Sequence, residues 1–141
     1  MTQPVTLNLY SVDFDSWPSI LIALVTKSIY THSAIQVEDR IFEASGKKDT
    51  LGWAPASVYD GRHVKKIELP VSKTKAKRIL NTYRGIKYDY RALRLWCFSE
   101  HDKKKYYCFE HCLQFLRDIG ISAKEYKRVS SHTLLHILKE K

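Results

Sequence analysis

Cysteine is scarce and odd in number: Cys97, Cys108 and Cys112 are the only three in 141 residues. They cannot all pair, which excludes a disulfide-stapled scaffold and suits a reducing compartment. Long apolar runs are also missing. The longest, residues 20–25, falls far short of the ~20 residues that a membrane-spanning helix needs. Asp13 and Asp15 precede it, where a signal peptide would carry positive charge. The expectation is a soluble chain without a signal peptide, cytoplasmic or delivered by a phage virion. Glycine is sparse, and Gly46, Gly52, Gly61, Gly85 and Gly120 form neither G-x-G-x-x-G nor a P-loop, so a nucleotide-binding fold has no support. Repeats and low-complexity linkers are absent, which leaves residues 1–141 as one domain. Acidic residues are few as well, 15 against 24 basic ones, for a formal charge of +9. Such a balance favours polyanions: nucleic acid, anionic lipid or anionic cell-wall polymer.

What is present is enough for a globular core. The composition is 44% hydrophobic and 12% aromatic, outside the disordered range. A chain of this length buries about 68–70% of the surface that its unfolded form exposes. Val5, Leu7 and Leu9 alternate with polar neighbours, the period of a strand with one buried face. Ser16 and Pro18 then open a helix expected over about 17–29. Residues 32–37 and 40–45 alternate as a hairpin turning at Glu38-Asp39, residues 46–49 and 52–61 read as loop, and 63–69 reads as a strand ended by Pro70. Ser72, or a neighbour, caps a basic helix to about Arg84, with Gly85 at its end. Residues 87–100 mix aromatic and basic types without a period. Over 108–119, Phe109, Cys112, Leu113, Leu116 and Ile119 share one helical face and Gly120 terminates it. A last helix starts near Ser130-Ser131 and carries Leu134, Leu135, Ile137 and Leu138. Strands that precede helices in this way predict an α+β fold, a small antiparallel sheet packed against helices.

The hairpin register has a chemical consequence. With Glu38-Asp39 as a two-residue loop, Ala34 lies opposite Glu43 and His32 opposite Ser45. His32 and Glu43 are then diagonal neighbours on one face, close enough for a carboxylate to hold an imidazole. The other face carries Ile35, Val37, Phe42 and Ala44, the core side. A surface ion pair is the plainer reading of the same two residues. Cys108 opens the strongest predicted helix, where unpaired N–H groups and the helix dipole favour a thiolate, and Lys103, Lys104 and Lys105 act in the same sense. Cys112, on the apolar face one turn later, suits a small buried hydrophobe instead. A thiolate, a base and a residue that orients the base make up a cysteine hydrolase.

Four stretches resemble the circularly permuted NlpC/P60 (papain-like) thiol hydrolases of the YaeF/YiiX-like kind: Tyr30-Thr31-His32-Ser33-Ala34-Ile35, Ile41-Phe42-Glu43-Ala44, Gly85-Ile86-Lys87-Tyr88-Asp89-Tyr90 and Tyr107-Cys108-Phe109-Glu110. A weaker fifth is Val129-Ser130-Ser131-His132-Thr133-Leu134. The order His, Glu, Cys is what a permutation implies, since papain-like enzymes place Cys ahead of His. The resemblance implies a papain-like fold with Cys108 as nucleophile, His32 as general base and acid, and Glu43 as the orienting residue. It gives Tyr88 a place along the substrate groove; Gln36, on the same predicted face as His32, is expected to bind substrate or to substitute for Glu43. Cys108-Phe109-Glu110 departs from the Cys-Ser-Glu of many relatives. The substrate so implied is an amide bond, a peptidoglycan stem peptide or similar cell-wall amide, cleaved without metal or organic cofactor. Acyl transfer and lipid amide or ester cleavage use the same constellation.

Two other readings compete. Cys97, His101, Cys108, His111 and Cys112 cluster within sixteen residues but lack the paired spacing of a structural zinc site, and His132 and His136 lack the Glu of H-E-x-x-H. Lys65, Lys66, Lys73, Lys75, Lys77, Arg78 and Lys103 to Lys105, together with the aromatics, suggest a basic module that binds nucleic acid or another polyanion. No recognised nucleic-acid-binding signature accompanies them.

Overall fold

A computed structural model describes residues 4–11, 29–44, 50–88, 105–106, 108–121 and 131–139. Five strands, β1 (Thr6–Ser11), β2 (Tyr30–Val37), β3 (Arg40–Ala44), β4 (Leu51–Pro55) and β5 (Val64–Glu68), form an antiparallel sheet in the order β4-β3-β2-β1-β5. Among the described residues, three helices follow, α1 (Lys73–Asn81), α2 (Cys108–Asp118) and α3 (Ser131–Lys139). A short parallel pair, β6 (Lys87–Tyr88) and β7 (Lys105–Tyr106), lies between α1 and α2. This is the expected α+β arrangement of an antiparallel sheet with helices.

The period-2 pattern divides the sheet into two unlike faces. Leu7, Leu9, Ile35, Val37, Phe42 and Leu51 join Phe109, Cys112, Phe115 and Leu116 of α2 and Leu134 and Ile137 of α3 in the main core. The opposite face has a smaller cluster of Tyr10, Ala34, Ile41 and Ala54, with Tyr59 and Val64 against it. The ring of His111, on the second turn of α2, donates from Nε2 to the Phe42 carbonyl at 3.2 Å, which ties this helix to β3.

The hairpin has the register that its alternation predicts, Ala34 opposite Glu43 and Val37 opposite Arg40. Its turn lacks glycine, and Glu38 adopts φ 60°. Lys77 Nζ stands 3.2 Å from the Glu38 carboxylate, and Gln36 Nε2 donates to the Glu38 carbonyl at 2.7 Å.

The largest departure from expectation is the span 52–61. It forms β4 and a 3₁₀ turn over Ala56–Tyr59 instead of loop. Gly52 and Pro55 disguise the strand, yet β4 is a sheet edge, where a missing N–H costs no ladder bond. Its stability comes from pairing with β3 and from burial of Leu51 and Ala54. The helix capped by Ser72 also ends sooner than expected, at Asn81, because Thr82 turns back onto Ile79. Gly85, at φ 84°, then redirects the chain so that its N–H reaches the Leu51 carbonyl at 3.2 Å. Of the helix expected over 17–29, only Ile29 is described. It is an exposed bend rather than a helical core position. Residues 46–49 lie outside the described residues, as do 89–100 of the stretch without a period.

Candidate functional site

His32 is the third residue of β2 and Glu43 the fourth of β3. Antiparallel pairing brings both to one end of the sheet, on the face away from α2. Glu43 Oε1 lies 3.0 Å from His32 Nε2. The carboxylate is 2% exposed and the His32 side chain 14%, so the pair is not a surface salt bridge. A buried carboxylate is tolerated only when donors surround it. The imidazole is one donor. The hydroxyl of Tyr59, at the end of the 3₁₀ turn, is a second: it donates to Glu43 Oε1 and also stands 2.9 Å from His32 Nε2.

Aromatic rings frame this triangle. Tyr10, opposite His32 on β1, stacks on Tyr59 with centroids 4.4 Å apart and lies 5.9 Å from the His32 ring. Burial holds the Tyr10 hydroxyl above its ordinary value. The bond from Asn8 and the charge of Arg62 oppose that rise, and negative charge at Glu43 and Cys112 adds to it. The Arg62 guanidinium lies over the Tyr59 ring at 5.2 Å, and its Nε donates to the Ser11 carbonyl at 3.1 Å. Beyond the tyrosines, a depression of about 480 Å³ is lined by Asn8, Tyr10, Gln36, Tyr59, Arg62 and Lys66, among others. That volume suits a small organic or peptide-like ligand.

Gln36 does not take the place of Glu43. Its side chain accepts from Asn8 Nδ2 at 2.7 Å and donates to the Glu38 carbonyl, so it belongs to the floor of the depression. Cys108 is the first residue of α2 and Tyr88 the last of β6. For both, the backbone is described and the side chain lies outside the described part. Cys112 is a fully buried free thiol packed in the main core, with its sulfur 3.6 Å from His111 Nε2. Cys97 and His101 lie outside the described residues, and no group of three metal-ligating side chains occurs among the described ones. His132 and His136 are exposed on α3.

Tyr59 is the residue that sequence reasoning missed. It falls in the span read as loop, sixteen positions beyond Glu43, and no spacing rule links the two. Only the hairpin-like return of β4 along β3 brings it back to the pair. No helix among the described residues is long and apolar enough to cross a membrane. No protein-family model, curated protein or solved structure matches this chain.

Proposed function

We propose that the chain is a papain-like cysteine hydrolase of amide bonds, with Cys108 as nucleophile, His32 as base and acid, and Glu43 as the residue that orients the imidazole. The observation that carries this reading is the 3.0 Å contact between His32 and a carboxylate 2% exposed. A buried carboxylate held against an imidazole with no task is costly to keep, whereas a base held in one orientation is what general catalysis requires. On this reading the Cys108 thiol meets His32 around the end of the sheet where His32 and Glu43 sit, because α2, which Cys108 opens, packs on the opposite face.

In the reaction, His32 takes the thiol proton and the sulfur attacks the amide carbon. Backbone N–H groups at the start of α2 hold the developing oxyanion. The C–N bond breaks as His32 returns the proton to the leaving amine. Water, deprotonated by His32, then cleaves the thioester to release the acid and the thiol. With another acyl acceptor in place of water, the same steps give a transferase. A stem peptide or similar cell-wall amide is the leading substrate class, and the charge of +9 suits approach to an anionic envelope.

Alkylation rates test the proposal. Cys108 is expected to react faster than Cys97 and Cys112, with a pH midpoint below that of an ordinary thiol, and His32→Ala should slow it. Equal reactivity of Cys97 and Cys108, or indifference to His32→Ala, refutes the hydrolase. Polyanion affinity that falls steeply with salt and is unchanged in Cys108→Ala would then favour the basic binding module.

A further inference from the structure

We propose that the depression of about 480 Å³ beside Tyr10 and Tyr59 binds the carboxylate of an amino acid or short peptide. The sheet register builds it. Asn8 of β1 lies opposite Lys66 of β5, so both side chains stand on the face away from α2, and Tyr10 follows two residues along on that face. The chain after β4 then brings Tyr59 and Arg62 over the Tyr10 ring. What converges here is a set of donors. Arg62 is held by the Tyr10 and Tyr59 rings, at 6.0 and 5.2 Å from their centroids, and by the Ser11 carbonyl, to which Nε and Nη2 both donate. That fixes the guanidinium and leaves Nη1 for a ligand. Among the described residues, neither Arg62 nor Lys66 is ion-paired with a carboxylate.

The floor adds neutral donors. Buried Asn8 accepts from the Thr6 hydroxyl at 2.7 Å and gives its two amide protons to the Tyr10 hydroxyl and to Gln36 Oε1. The Tyr10 hydroxyl thus accepts from Asn8 and keeps its own proton for an acceptor, as does the second N–H of Gln36, whose first goes to the Glu38 carbonyl. Donors of both kinds around one space suit an anion. Three acids also line it, Glu38, Asp39 and Asp60, and they select which anion. All three are exposed, whereas Asn8 and Tyr10 are buried and Gln36 and Arg62 half-buried, so the acids form a rim above the donors. Glu38 is already paired with Lys77 and Lys73. A negative rim repels a dianion or a polyanion and accepts a single carboxylate, more readily still one that carries an ammonium group elsewhere. Amino acids and short peptides have that charge pattern, and the volume fits them. Tyr10 and Tyr59 also flank the His32 ring; on the hydrolase reading this carboxylate therefore belongs to the peptide being cleaved, but the binding itself needs no thiol.

Proton–nitrogen spectra of the ¹⁵N-labelled full chain, titrated with acetyl-alanyl-alanine, with its C-terminal amide and with inorganic phosphate, test the site. The acid should shift the side-chain signals of Asn8, Gln36 and Arg62. The amide should bind about tenfold more weakly or worse, the effect of one hydrogen bond to a charged group, and phosphate more weakly than the acid. Arg62→Gln should weaken the acid by a similar factor. Because Arg62 also holds the Ser11 carbonyl, Lys66→Gln, at an exposed position, supplies a variant that keeps the fold and should weaken the acid about two- to fivefold. Equal affinity for acid and amide overturns the proposal, as does phosphate binding as tightly as the acid, an affinity unchanged in Lys66→Gln, or shifts that are absent or fall outside the depression. Failure of the hydrolase reading is separable: Cys108 would then alkylate no faster than Cys97, while these titrations still decide for or against the carboxylate site.

Discussion

Tyr10 combines three burdens that a strand residue seldom carries together: burial, a hydrogen bond from Asn8 Nδ2 at 3.0 Å, and two aromatic neighbours in the candidate site. Its raised pKa has a definite sign in stability. The folded form keeps the phenolic proton to higher pH than the unfolded chain does. Stability is therefore complete below the ordinary tyrosine range near 10 and is lost as pH climbs from there through the folded value. Denaturant titrations from pH 8 to 11 should show this decline, and Tyr10→Phe should flatten it while starting from a lower plateau, since Asn8 loses an acceptor. A decline as steep in Tyr10→Phe as in the parent assigns the effect to other groups. Glu38 is the other residue with a local cost. Its φ of 60° is a region that glycine enters without strain and other residues do not, and the partners on offer are the exposed Lys77 and the half-buried Lys73, paired with a Glu38 carboxylate that is itself exposed, so the pairing is worth little. Glu38→Gly is expected to melt above the parent. A lower melting temperature would mean that the lysine pairs outweigh the backbone strain.

Among the elements, the termini of α1 and α2 follow capping chemistry closely. Ser72 Oγ accepts from Lys75 N–H at 3.2 Å, so Ser72→Ala should cost about 1 kcal/mol in chemical denaturation. No loss would show that Ser72 Oγ is exchanged for water without penalty. Gly120 ends α2 at φ 86°, the left-handed conformation of a helix C-terminal glycine, and Ile121 N–H returns to the Leu116 carbonyl at 2.9 Å. These boundaries were legible from Ser72 and Gly120 alone, because a cap depends on neighbours within one turn. The edge strand β4 was not, because its evidence is the partner β3. Neither glycine nor proline announces a strand, and the hydrogen bonds that make one come from residues about ten positions away.

At the scale of the whole molecule, one apolar layer joins the sheet to α2 and α3. Phe109, Phe115 and Leu116 are fully buried there beside Leu7, Ile35 and Phe42. Phe115→Ala should cost about 3–5 kcal/mol through lost burial and the cavity left behind, a large share of the ~5–15 kcal/mol typical of a domain. Urea unfolding followed by circular dichroism would show it, and a loss below about 1 kcal/mol would mean that α2 contributes little to the core. Because the apolar layer is on one face and the His32–Glu43–Tyr59 triangle on the other, core variants of this kind should lower stability before they alter the triangle.

The amino-acid sequence by itself determined the elements whose causes are local: the alternation of β1, the register of the hairpin, the cap at Ser72 and the apolar face of α2. It also placed His32 and Glu43 on one face, since a two-residue loop sets the pairing on both sides of it. Tertiary structure alone decided that Glu43 is buried, that Gln36 is occupied elsewhere and that Tyr59 completes the triangle. Burial and long-range contact depend on which distant backbone folds over a position, and no periodicity within a single segment encodes that.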